Sequence, residues 1–304
     1  MNVAILAVSI LLNILFGGYV FAQNKKNATN IIFFILSFVI SIWLGIFYLS
    51  LVPFSSTVNL VLVRLSLLFA VIMTLFFYFL AWVVPQEKFV MKKIHFFFIV
   101  FITCLVAGIA FSPLSFQSVA FINGFPTPAP GPGLAVFGLY VIVGAMATLV
   151  ILGKKITTRK GDQKRQLIAI LAGFLLMYIL LIGTVFLPVA LFQNTMFVPF
   201  SPFYALLFLL LTGVAILKYH LFDVRIVATE IMVSVLVVLL LFEGLTSGSI
   251  REVLFKLFMA TVVGFLGIAV VRSVYREVKQ REEVTHLAES LEQANLRLQE
   301  LDKQ

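Results

Sequence analysis

Residues 253–304 read VLFKLFMATVVGFLGIAVVRSVYREVKQREEVTHLAESLEQANLRLQELDKQ. The run 253–271 is long and apolar enough for a membrane-crossing helix, and nothing after it stops a helix. Residues 272–304 contain neither Gly nor Pro and are rich in Glu, Gln, Leu, Arg and Lys. From Val284 onward, apolar or small residues fall at Val284, Leu287, Leu291, Ala294, Leu298 and Leu301, spaced 3, 4, 3, 4 and 3. That spacing is the a/d seam of a coiled coil. A spanning helix that continues as a charged rod needs a membrane bundle at one end and an aqueous phase at the other. The expected fold is therefore all-α: a polytopic helical membrane bundle with a C-terminal cytoplasmic coiled-coil helix.

The rest of the chain agrees. Of its 304 residues 62% are hydrophobic and only 12% charged, about half the usual charged share of soluble proteins. Thirty-three Phe and two Trp are read as packing side chains. The single cysteine, Cys104, lies in an apolar run, so neither a disulfide framework nor a cysteine metal site is expected. No metal and no cofactor are expected.

Runs near 20 apolar residues, enough for about 30 Å of hydrocarbon, occur at 2–22, 31–52, 59–84, 94–111, 134–152, 167–187, 201–217, 226–242 and 253–271. Nineteen of the 22 Lys and Arg sit on alternate connections and in the tail, the exceptions being Arg64, Arg251 and Lys256. By the positive-inside rule these connections are cytoplasmic, which puts the N-terminus outside and the C-terminal helix inside. About nine spans satisfy that parity. The first span has no basic residue before it and is read as a retained helix, not a cleaved signal. The net charge of +9 is thus a topology signal, and a nucleic-acid partner is not expected. The cluster Lys154, Lys155, Arg159, Lys160, Lys164 and Arg165 is read as a patch attracted to anionic membrane lipid.

Three outward loops, 53–58, 112–133 and 188–200, carry no charge. The second contains Pro126-Thr127-Pro128-Ala129-Pro130-Gly131-Pro132-Gly133, which is expected to be a stiff, turning, non-helical segment. The third is apolar and includes Phe192 and Phe197. Such loops either seal the bundle at the lipid interface or contact a small apolar ligand. If a ligand binds, Phe192, Phe197 and Arg64 are the candidate residues; Arg64 lies near the outer end of the third run, where its guanidinium can reach the interface. The triplet Asn27-Ala28-Thr29 matches a glycosylation acceptor but falls on the cytoplasmic side and is read as chance.

Chemistry inside a membrane is carried by ionisable residues within spans. No run holds a midplane carboxylate, a Schiff-base lysine or an HExxH pair. His95 and His220 lie at helix ends. His286 lacks the following acidic residue and proline of a phosphoacceptor motif and is read as a surface position of the coiled coil.

Three pieces carry a resemblance. They are the loop ending Pro130-Gly131-Pro132-Gly133 ahead of a span with Tyr140, the connector Arg159-Lys160-Gly161-Asp162-Gln163-Lys164-Arg165-Gln166-Leu167, and the exit Lys218-Tyr219-His220-Leu221-Phe222-Asp223-Val224. With them, the region up to about residue 227 resembles the N-terminal seven-transmembrane region of bacterial sensor histidine kinases. The resemblance implies a seven-span sensor bundle at 1–225. The chain departs from the simplest form of that family in carrying two additional spans at 226–271, and 272–304 looks like the cytoplasmic coiled-coil signalling helix that follows in such kinases. The resemblance also implies a bacterial inner-membrane location and a homodimer through the C-terminal helix. No phosphoacceptor motif and no ATP-binding segment occur in these residues, so kinase activity belongs to the family and the residues given are not expected to be an enzyme. Gly264 and Gly267 allow close approach or a kink in the ninth run. Val271, Val274 and Val278 form one seam, and the step from Val278 to Val284 is six residues where seven would keep register. These four positions, Gly264, Gly267, Val278 and Val284, are the candidates for signal transmission. Two other readings remain open here: a small transporter or lipid-handling protein, and a membrane anchor for another dimeric output.

Overall fold

The computed structural model describes residues 3–122, 124–186, 201–218 and 261–269, with the single positions 257, 259, 272, 273, 276 and 280. The chain divides into two units, Met1–His220 and Leu221–Gln304.

Among the described residues the first unit shows seven α-helices: α1 (Val3–Gln23), α2 (Ala28–Leu51), α3 (Ser56–Val83), α4 (Lys93–Phe111), α5 (Gly133–Thr158), α6 (Gly161–Leu180) and α7 (Ser201–Lys218). A π-helical stretch, Leu181–Phe186, prolongs α6. Each helix coincides with one of the first seven apolar runs. Helices α2 to α6 are each long and apolar enough to cross a bilayer, so the chain is a multi-pass membrane bundle.

Local chemistry sets the helix ends. Asn27 caps α2 by accepting from Thr29 N at 2.8 Å, and it is buried. The apparent glycosylation triplet is therefore a helix cap. Ser55 caps α3 by accepting from Val58 N. Asn59, fully buried, accepts from Phe54 N and donates to Ser50 O and Val52 O, closing the α2–α3 turn. The basic connector is shorter than the apolar runs suggest. Helix α5 continues to Thr158 and α6 begins at Gly161, leaving Arg159 and Lys160 between them. Lys and Arg are good helix formers, and the sharp reversal is made at Gly161, whose φ of +60° suits glycine.

The loop between α4 and α5 is a β-hairpin, β1 (Phe116–Ile122) paired antiparallel with β2 (Phe125–Pro130). The sequence led us to expect a stiff, turning, non-helical segment, and the strand pairing was not foreseen. Successive N–H groups of a strand point to opposite edges, so Pro126, Pro128 and Pro130 lack donors on the same edge. Thr127 and Ala129 supply the donors that face β1. The free edge of β2 is thus closed to further strands.

Inside the bundle, Phe77 of α3, Phe174 of α6 and Phe208 of α7 form a buried aromatic triangle with centroids 4.5 to 5.2 Å apart. Phe16 of α1 packs edge-on to Phe33 of α2 beside Gly213 of α7. A methyl at Gly213 would lie 2.1 Å from the Phe16 ring, so glycine sets how closely α7 approaches α1. Toward the hairpin, Val71, Val106 and Ala110 are packed by Leu67, Ile102, Phe137 and Tyr140. Outward, Ile94, Phe97, Phe98, Phe101 and Leu105 of α4 are exposed at helical spacing, as are Leu139, Ile142, Val143, Met146 and Val150 of α5. These stripes are lipid-facing surfaces.

In the second unit residues 261–269 are helical, and Thr261 Oγ1 donates to Leu257 O at 2.9 Å. Gly267 is buried and Gly264 half-buried on this helix. The run 226–242, the positions Val278, Val284, Leu287, Leu291, Ala294, Leu298 and Leu301, and the loop residues Phe192 and Phe197 lie outside the described residues.

Candidate functional site

The first unit has two chemically distinct ends. Lys25, Lys26, Lys88, Lys92, Lys93, Lys154, Lys155, Arg159, Lys160, Lys164 and Arg165 sit at the α1–α2, α3–α4 and α5–α6 connections. The opposite end holds the α2–α3 turn and the hairpin. Among the described residues its one charged side chain is Arg64.

At the basic end, Lys155 of α5 reaches across to the last turn of α3. Its Nζ donates to Ala81 O at 2.9 Å, to Val84 O at 2.6 Å and to Trp82 O. The last carbonyls of a helix have no intrahelical partner and carry the negative end of its dipole. An ammonium there satisfies both needs. The same connection is tied to α2: Ala28 N donates to Glu87 O at 2.7 Å, and Thr29 Oγ1 to Gln86 O at 2.8 Å. Tyr78 OH lies 3.2 Å from His95 Nε2, and Trp82 Nε1 donates to Val90 O. His95 thus belongs to an aromatic cluster with Tyr78 and Trp82. The ion pair Arg165–Asp162 is 3.8 Å long and exposed on both sides, and contributes little.

The middle of the bundle is neutral. Ser37, Ser41, Thr74, Thr103 and Thr148 each bond the carbonyl four residues earlier, which satisfies hydroxyls without water. Among the described residues no group of three or more His, Cys, Asp or Glu is placed to hold a metal ion.

The neutral end is built around the hairpin. Gly131 N donates to Ser115 O at 2.7 Å and Gly133 N to Leu114 O at 2.8 Å. A methyl on Gly131 would lie 2.3 Å from Leu114 O, and one on Gly133 would lie 2.9 Å from the same atom. The Pro130-Gly131-Pro132-Gly133 motif is thus a place where two backbone segments touch. Ser115, fully buried, sits 2.7 Å from Ala110 O and 3.0 Å from Ser112 O, fixing the exit of α4. Tyr140 meets Thr103 Oγ1 at 2.8 Å and joins α5 to α4. Thr184 in the π-helical stretch lies 2.8 Å from Tyr204 OH of α7.

Arg64 binds this assembly from α3. Its Nε and Nη2 both donate to Phe116 O, at 3.1 and 2.6 Å. The side chain is half-buried, and its guanidinium is anchored to the first residue of β1. The register of the hairpin is irregular between Phe116 and Ser118, and that bulge is where the arginine is tethered. Phe192 and Phe197, the other two candidate ligand residues, lie outside the described residues. Sequence reading missed the Phe116 carbonyl and the Lys155 clamp, because both partners are backbone oxygens far away in sequence.

A family described as the N-terminal 7TM region of histidine kinase matches residues 5–225. No curated protein and no solved structure matches the chain.

Proposed function

Because the chain belongs to the N-terminal seven-transmembrane regions of histidine kinases, with residues 5–225 on the membrane sensor side and not in the catalytic core, we propose that it senses a signal at the neutral end of the bundle and transmits it through the C-terminal helix of a two-component kinase. The family match over 5–225 carries this reading.

In this reading the basic end faces the cytoplasm of a bacterial cell and the neutral end faces outward across the inner membrane. The input surface comprises the hairpin, Arg64 and the loop with Phe192 and Phe197, which would contact a small apolar ligand. The output runs through residues 226–271 to the helix 272–304. Gly264 and Gly267 let the last span shift against its neighbours, and the phase break between Val278 and Val284 separates two seams. Leu287, Leu291, Ala294, Leu298 and Leu301 form the homodimer contact. A helix of 33 residues is about 50 Å long, so a rotation at residue 271 reaches well into the cytoplasm.

The test is cross-linking in membranes. Changing Leu291 and Leu298 together to Asp should leave the protein inserted but monomeric. Undiminished dimer cross-linking in that double variant would exclude the seam.

A further inference from the structure

Arg64 has an unused half. A guanidinium carries five N–H donors in a planar fork. One carbonyl oxygen, that of Phe116, takes the Nε donor and one Nη2 donor. Both Nη1 donors and the second Nη2 donor are left, and one N–H of each of these nitrogens points along another edge. That edge presents two parallel N–H groups, the geometry that receives a carboxylate or phosphate in bidentate fashion. The described residues contain two carboxylates, Glu87 and Asp162, and both belong to the basic end. The half-buried cation of the neutral end therefore has no carboxylate beside it among the described residues.

Its depth matters as much as its charge. Helix α3 has 28 residues, about 42 Å at 1.5 Å per residue, against about 30 Å of hydrocarbon. Val83, at the basic end, and Arg64 are 19 residues apart, about 29 Å. With the basic end at one face of the hydrocarbon, Arg64 lies at the other, the level of lipid head groups. Its neighbours on α3 toward the neutral end, Val58 and Val61, are exposed and apolar, and they offer no polar competitor.

We propose that Arg64 is a subsite for the anionic head group, carboxylate or phosphate, of an amphiphile whose chain lies in the hydrocarbon beside the bundle. This rests on the reading of the neutral end as the input side. Since one guanidinium holds both the anion and the Phe116 carbonyl, occupancy stiffens the start of β1. The head group has two sources, an anionic lipid of the bilayer or a free amphiphilic acid.

The experiment uses the full 304-residue chain in nanodiscs of phosphatidylcholine. Phosphatidylglycerol is introduced into the bilayer in one arm and laurate is added in the other, with dodecanol as the uncharged control. Amide hydrogen exchange across 114–131 is followed in each. In the wild type, an anion slows exchange saturably and dodecanol does not. An effect of phosphatidylglycerol alone assigns the bilayer lipid, and one of laurate alone the free acid. Arg64→Gln weakens the response about tenfold or more, while Arg64→Lys retains part of it. Dodecanol acting as well as laurate on the wild type overturns the proposal whether or not the variants fold, and so does a full response in Arg64→Gln. Dimer cross-linking at position 291, read in the same samples, separates the two claims. Anion-dependent exchange with unchanged cross-linking supports the subsite and counts against the neutral end as the input. Cross-linking that responds without any anion effect on exchange overturns the subsite alone.

Discussion

At the scale of single residues, the structure turns several unremarkable positions into specific demands. Gly131 has no room for a methyl, since Leu114 O would lie 2.3 Å from it, whereas Gly138 in α5 meets nothing within 4 Å. Gly131→Ala should therefore cost about 1–3 kcal/mol of stability through overpacking, and Gly138→Ala should cost none. Thermal unfolding of the two variants in detergent would show the contrast. Lys155 satisfies carbonyls of Ala81, Trp82 and Val84. In Lys155→Met those acceptors lose a charged donor, and about 1–3 kcal/mol should go with it, read as a lower Tm than that of Lys154→Met. The contrast is informative because the neighbouring lysine carries the same charge at almost the same depth.

At the scale of elements, the hairpin is the part with mechanical consequences. It is held at its open end, by Arg64 on Phe116 O and by the contacts of Gly131 and Gly133 with Ser115 and Leu114. Losing two charge-assisted bonds in Arg64→Gln should speed amide exchange of 116–122 by about tenfold or more, with α4 and α5 unchanged; equal exchange in the two proteins would show that the tether does not restrain the strand. The seven described helices of the first unit were legible in the sequence because each is a long apolar run bounded by polar or proline-containing turns. The hairpin was not, since three prolines in six residues argue against a strand. Their placement on alternate residues was the signal: such a spacing leaves one edge of the strand fully able to donate. The α5–α6 corner was misjudged for a different reason. Hydropathy marks where a helix leaves the membrane, but not where it ends, and Lys154 and Lys155 continue α5 outside the apolar run. Arg64 was legible as an interfacial cation, whereas its partner, a carbonyl 52 residues away, was not.

At the scale of the whole molecule, the charges divide the bundle into a basic end and a neutral end, and the family match makes it the membrane sensor region of a histidine kinase. In the proposed function, an event at the neutral end alters how two C-terminal helices meet. The most direct measurement is a cysteine cross-linking profile in membranes, with Cys104→Ser as background and single cysteines at positions 284 to 301, with and without Arg64→Gln. Efficient dimer formation is expected for Leu287→Cys, Leu291→Cys and Leu298→Cys. Poor formation is expected at the intervening charged positions, with a profile that shifts in phase or intensity when Arg64 is replaced. A profile without the seam's 3-4 periodicity, or one identical in the two backgrounds, would contradict the proposed transmission from the neutral end to the C-terminal helix.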